Sequence, residues 1–259
     1  MSELATVEVG TQGPWVVFLH GLFGQGKNFF TVARALAPEL RSLLVDLPDH
    51  GRSPWTERLD YAAMADAVAA TVRAHAAGPV HVVGHSMGGK VAMLLALRHA
   101  ELVDRLVVVD IAPGPSAGTS EFEHLLGALA GLDLAHLGSR AEAEAALAAQ
   151  IPSQTVRSFL LQNLQRAPEG WRWRANLELL RRDLPTIAGF PEVSGSFPGP
   201  VLWVAGERSQ YVRPEHVPRM HELFPRVRRL TVKDAGHWVH SEQPEVFTQA
   251  LRAFLAPRD

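Results

Sequence analysis

No cysteine occurs among the 259 residues, which excludes disulfides, thiolate catalysis and cysteine metal sites and fits a reducing compartment. Neither sign of charge dominates: 25 Lys and Arg stand against 27 Asp and Glu, a formal net charge of −2. Such a balance exerts no broad attraction on nucleic acid or anionic membranes. Long apolar runs are missing too, and nothing approaches the roughly 18 residues that a membrane span needs. The first segment (MSELATVEVGTQG) holds acidic residues and no long apolar run, so no secretory signal is expected there. Internal repeats are absent, and only the Ala/Glu-rich stretch Ala141–Ala149, read as helix, is compositionally biased. There is no H-E-x-x-H pattern, and His216 and His221 are poorly spaced for one helix face, so no metal site is expected. These absences predict a soluble cytoplasmic protein without a metal site; its expected state is monomer or homodimer. The arginines of Trp171–Arg182 (WRWRANLELLRR) read as a solvated helix face rather than an anion site.

What is present is a core. The hydrophobic share is 47%, ordinary for a globular chain. Short apolar runs predict strands at Trp15–Leu19, Arg41–Asp46, Val80–Val83, Arg105–Asp110, Val201–Ala205 and Val227–Val232. Helical patterns lie between them, around Asn28–Leu40, Tyr61–Ala77, Met87–His99 and Pro214–Leu223. A last helix carries Val246 or Phe247, Ala250 or Leu251, and Phe254 on one face, with Ser241 as its expected cap. Fully apolar strands joined by helices imply a mostly parallel sheet covered on both faces, an α/β fold. The stretch 113–198 shows no convincing strand and reads as amphipathic helices, among them Phe122–Leu129 and Val156–Leu164. Pro113-Gly114-Pro115 and Pro198-Gly199-Pro200 bracket it. The expected organisation is a core of residues 1–112 and 199–259 with a helical cap, 113–198, inserted between them.

The most specific pattern is Gly84-His85-Ser86-Met87-Gly88, a G-x-S-x-G motif between a predicted strand and a predicted helix. That context places a strained serine in a tight turn, its Oγ exposed at the carboxyl end of the sheet. Ser86 is therefore the expected nucleophile, and the helix N-terminus beside it favours developing negative charge. The backbone N–H groups of Met87 and of Leu22, in His20-Gly21-Leu22-Phe23-Gly24, are the expected oxyanion donors, with Phe23 as an alternative to Leu22. Of 12 histidines, His237 in Asp234-Ala235-Gly236-His237 follows the last strand and precedes the last helix. There an imidazole reaches the sheet edge and can act as general base; His240 is placed less well. The acid leaves two candidates. Asp110 ends a strand at the catalytic edge, and Glu207 lies in Gly206-Glu207-Arg208-Ser209, where serine occupies a position that commonly holds the aspartate.

With these segments in view, the chain resembles the YbfF-like esterases of the α/β-hydrolase superfamily along nearly its whole length. HGLFG, DHGRS, GHSMGGK, VVDIAP, GERSQYV and DAGHWVH carry the resemblance. It implies Ser86, Asp110 and His237 as a triad, with Ser209 as a hydrogen-bonding neighbour. It also implies hydrolysis of esters or thioesters under a helical cap, without cofactors. Phe23, Trp238, Ser209 and, in the cap, Trp171 are candidates for substrate contact. Perhydrolase or carbon–carbon bond hydrolase activity with the same triad, or a non-catalytic binding role, are the alternatives that the fold permits.

Overall fold

The computed structural model describes residues 3–116 and 119–256; the first two and last three residues of the expected core, and residues 117–118 of the expected cap, lie outside them. The chain begins with β1 (Thr6–Val9), β2 (Trp15–Leu19), α1 (Phe30–Leu36), β3 (Arg41–Val45) and α2 (Tyr61–His75). β4 (Val80–His85), α3 (Met87–Arg98) and β5 (Val103–Val109) follow. Then come α4 (Thr119–Ala130), α5 (Arg140–Leu147), α6 (Gln154–Leu161), β6 (Leu164–Ala167), β7 (Gly170–Trp173), α7 (Leu177–Arg182) and α8 (Leu184–Ala188). β8 (Val201–Gly206), α9 (Val217–Leu223), β9 (Val227–Val232), α10 (Val239–Glu242) and α11 (Pro244–Leu255) complete the order.

Seven strands form one sheet in the order β1-β3-β2-β4-β5-β8-β9. β1 runs antiparallel to β3, and the remaining neighbours are parallel. Successive residues of β2 divide between the two faces: Val17 and Leu19 pack on one side, Val16 and Phe18 on the other. The first side is covered by α2 and α3 through Met64, Val68, Val91 and Leu95. The second is covered by α1 and α11 through Val32, Leu36, Phe247 and Leu251. Burial on both faces is why these strands read as unbroken apolar runs rather than as alternation. α2 starts where Asp60 accepts from the N–H groups of Ala62 and Ala63, two of the donors a first turn leaves unpaired.

The apolar runs give no sign of β1, which reads as TVEV, half polar and only partly buried. Two local expectations are corrected. Segment 113–198 is not wholly helical: β6 and β7 pair as an antiparallel hairpin, with Leu164 opposite Trp173 and Ala167 opposite Gly170. The helix expected to reach Leu164 therefore ends at Leu161, and the stretch Trp171–Arg182 divides between β7 and α7. Ser241 does not cap the last helix, because the chain makes the extra turn α10 first and α11 begins after Gln243. The buried stripe of α11 is Phe247, Leu251 and Leu255, while Val246 is exposed.

Candidate active site

Ser86 stands between β4 and α3 with φ 52° and ψ −119°, a left-handed conformation that a side-chain-bearing residue adopts only under constraint. The constraint is close packing. A Cβ on Gly88 would collide with the carbonyls of Leu19 and His20, so only glycine lets α3 begin this near β2. The Ser86 N–H donates to Val109 O at 3.0 Å, tying the turn to the end of β5.

Asp110 follows β5 immediately, is fully buried and has φ 51°. Its Oδ1 accepts from Gly206 N at 3.0 Å, and its Oδ2 lies 2.7 Å from His237 Nδ1. The hydroxyl of Ser209 also donates to Oδ2. With Nδ1–H facing a carboxylate, the imidazole presents Nε2 as an acceptor, and Nε2 lies 3.0 Å from Ser86 Oγ. Gly206 allows the loop carrying His237 to approach: a Cβ there would strike the carbonyl of Gly236. Glu207 is turned away, its Oε2 accepting from Asp234 N at 3.0 Å.

Leu22 and Met87 line one hollow together with Ser86. Met87 opens α3, so its N–H has no partner within the helix. The Leu22 N–H has no hydrogen-bond partner among the described residues, whereas Phe23 N donates to His50 Nε2 at 3.3 Å. The Phe23 N–H is thus occupied. The loop is fixed by histidines: His20 Nε2 accepts from Leu47 N at 3.0 Å, and its Nδ1–H donates to Gly21 O at 2.8 Å.

The histidines around the site are kept uncharged. Burial, then His50, pushes His20 down to about 3. Burial, then His237, pushes His240 down to about 4. His85 is held well below the usual range by burial, then by His240 and His237. His240 is enclosed and packs against Phe29 and His85, at ring separations of 4.7 Å each. It does not reach Ser86.

Two hollows meet at Ser86. One is lined by Phe23, Phe122, Val156, Phe159, His237 and Trp238. The other is lined by Met87, Lys90, Ile111, Leu184, Ile187 and Tyr211, and Leu22 and Phe122 border both. Phe23 and Trp238 thus face the site, while Ser209 and Trp171 line neither hollow. Ser209 is engaged with Asp110, and Trp171 belongs to β7 under the Arg166 guanidinium.

Residues that the sequence patterns did not single out also shape the site. Lys90, four residues after Ser86, is buried and donates to the carbonyls of Ile187, Ala188 and Gly189 at 2.9, 2.7 and 2.7 Å. Burial pulls its ammonium down to about 7. Tyr211 stacks on His237, with ring centroids 4.0 Å apart and an interplanar angle of 26°. Lys90 and Tyr211 both lie in segments quoted above, GHSMGGK and GERSQYV, but only the fold shows what they touch. Among the described residues no cluster of His, Asp or Glu is placed to hold a metal ion, and no helix is long and apolar enough to cross a membrane.

Comparison with known proteins agrees with this architecture. The family model described as alpha/beta hydrolase fold matches residues 14–244. The sn-1-specific diacylglycerol lipase ABHD11 of Mus musculus is 39% identical over 249 residues, covering 94% of this chain and 81% of that protein. Esterase YbfF of Escherichia coli is 31% identical over 240 residues, covering 93% of this chain and 92% of that protein. A solved marine microorganism esterase superposes with a TM-score of 0.94 at 32% identity, over 97% of this chain and 99% of that one. The chain belongs to the α/β-hydrolase fold family, as a hydrolase of the esterase and lipase type resembling the YbfF-like proteins.

Proposed function

We propose that the chain hydrolyses carboxylic esters, and thioesters of similar shape, through an acyl-enzyme on Ser86. The observation that carries the reading is the continuous path from Ser86 Oγ through His237 Nε2 and Nδ1 to Asp110 Oδ2, at 3.0 and 2.7 Å. Ser86 Oγ attacks the acyl carbon while His237 Nε2 takes its proton, and Asp110 holds the Nδ1–H tautomer and balances the imidazolium. The oxyanion is received by the N–H groups of Met87 and Leu22. His237 returns the proton to the leaving oxygen or sulfur, then activates water to release the acid.

Proton return requires the leaving group to lie within reach of His237. We therefore assign the hollow with His237, Phe159 and Trp238 to the alcohol or thiol, and the hollow with Met87, Ile111 and Ile187 to the acyl chain. The acyl side offers apolar walls, and the ammonium of Lys90 is already engaged with three carbonyls. An uncharged, apolar acyl group suits that side. Residues 113–198 act as the cap: α4 and α6 bring Phe122, Val156 and Phe159 to one hollow, and α8 brings Leu184 and Ile187 to the other. The relatives named esterase and lipase support ester cleavage over the other chemistries of this fold.

A fluorophosphonate probe and a panel of p-nitrophenyl esters and acyl thioesters graded by chain length test the reading. The expected result is stoichiometric labelling of Ser86 and turnover of the panel. Unlabelled, folded protein with no turnover would overturn it.

A further inference from the structure

The imidazole of His237 has a differently built environment on each side. His85 stands 4.8 Å away, tilted by 45°, and Trp238 meets it edge-on at 5.9 Å. Tyr211 instead lies nearly flat against the ring at 4.0 Å. Its placement is anchored to the same carboxylate as the imidazole. The Tyr211 N–H donates to Ser209 Oγ at 3.2 Å, and the Ser209 hydroxyl donates to Asp110 Oδ2. The phenol hydroxyl makes no hydrogen bond among the described residues, so the ring is the part in use.

We propose that Tyr211 is a positioning residue for the base, its π face holding the imidazole in line with Ser86 and stabilising the charge gained with the serine proton. The proposal rests on the reading of Ser86, His237 and Asp110 given above. As the bond from Ser86 Oγ to the acyl carbon forms, the hydroxyl proton passes to His237 Nε2 and the ring becomes a cation. The negative face of an aromatic ring attracts a cation, most strongly where water is excluded. Asp110 meets this cation in the plane of the imidazole, and Tyr211 meets it from above. The contact is worth more in the charged transition state than in the neutral ground state, so it belongs in kcat. Burial, then Glu121 and Asp110, pushes the phenol up to about 12, so Tyr211 stays neutral while the base cycles.

The test is steady-state kinetics on p-nitrophenyl acetate, whose small acyl group makes little use of the hollow that Tyr211 lines. Tyr211→Leu is expected to lower kcat roughly tenfold, between the sizes of an exposed and a desolvated cation–π contact, with KM within about twofold. Tyr211→Phe, which keeps the ring, retains most of kcat. Progressively fluorinated phenylalanines at position 211 keep the shape and drain the π face, and log kcat should fall steadily with each fluorine. These variants answer the question even if Tyr211→Leu does not fold. A flat fluorine series, equal losses in Tyr211→Leu and Tyr211→Phe, or a loss confined to KM and growing with acyl length would each overturn the proposal. Fluorophosphonate labelling of wild-type Ser86 tests the underlying reading separately: labelled wild type with a flat series removes only the role of Tyr211.

Discussion

His85 donates its Nε2–H to the backbone carbonyl of His237 at 2.8 Å. The residue just before the serine thus holds the main chain of the residue facing that serine. A carbonyl can only accept, so His85 must carry its proton on Nε2, and its burial keeps it in that neutral form. Serine and imidazole come from positions 151 residues apart, and this bond is a second tie between them.

Ser86→Ala should fold normally and lose esterase activity by a factor on the order of 10⁶, the loss seen when a triad nucleophile is removed. Circular dichroism and turnover on one soluble ester check it. Residual activity within tenfold of wild type would remove Ser86 from the mechanism.

Asp110→Asn should lower kcat by about 10³–10⁴, because an amide cannot balance the imidazolium and favours the wrong tautomer. Glu207→Gln should stay near wild type, since Glu207 is bound to Asp234 N rather than to His237. The reverse pattern in kcat would give Glu207 the charge-balancing role.

Acid should destabilise the fold from about pH 6.5 downwards. His20 and His240 begin at 6.5 in the unfolded chain and are lowered to about 3 and about 4 by burial. Between those values the unfolded chain binds more protons than the folded one, so stability rises with pH and is lost on acidification. Urea unfolding at pH 7.5, 6, 5 and 4.5 should show this slope, and His240→Gln should reduce it by up to about one proton. A stability independent of pH between 7 and 5 would contradict the account.

Lys90→Met should destabilise the protein by about 2 kcal/mol, because three carbonyls at the end of α8 lose their donor, and the relief of a buried charge only partly offsets this. The denaturant midpoint measures it. Proteolysis should also quicken between residues 113 and 198. A variant as stable as wild type would mean that water serves those carbonyls equally well.

Ile187→Trp should cut turnover of long acyl esters while sparing acetates, by filling the hollow beside Met87. Varying the alcohol at constant acyl length should show no comparable effect. A change in alcohol preference instead would exchange the two assignments.

The central strands were legible because burial on both faces makes each an unbroken apolar run, as in WVVFL and RLVVVD. β1 was not, since an edge strand with one neighbour is half polar. The hairpin escaped because Leu164–Ala167 and Gly170–Trp173 are four residues each, shorter than the pattern that distinguishes a strand from a helix. Ser86 and His237 could be chosen by position, at a strand–helix turn and after the last strand. That His50 takes the Phe23 N–H is not legible in the same way, because the two residues are 27 positions apart. Tyr211 and Lys90 carry no sequence signal of their own, because stacking and carbonyl contacts over 26 to 99 residues of separation exist only once the chain is folded.

β5 and β8 lie side by side, and their ends converge on a single oxygen: Asp110 Oδ2 and the Ser209 hydroxyl share one hydrogen bond. The negative charge beside His237 therefore has an address in space that two stretches of chain can reach. A lineage could carry the carboxylate on either strand and exchange one for the other through a form bearing both, without moving the serine, the imidazole or the sheet. In this chain the second address holds a hydroxyl, and a carboxylate placed there is the natural suppressor to seek for loss of Asp110.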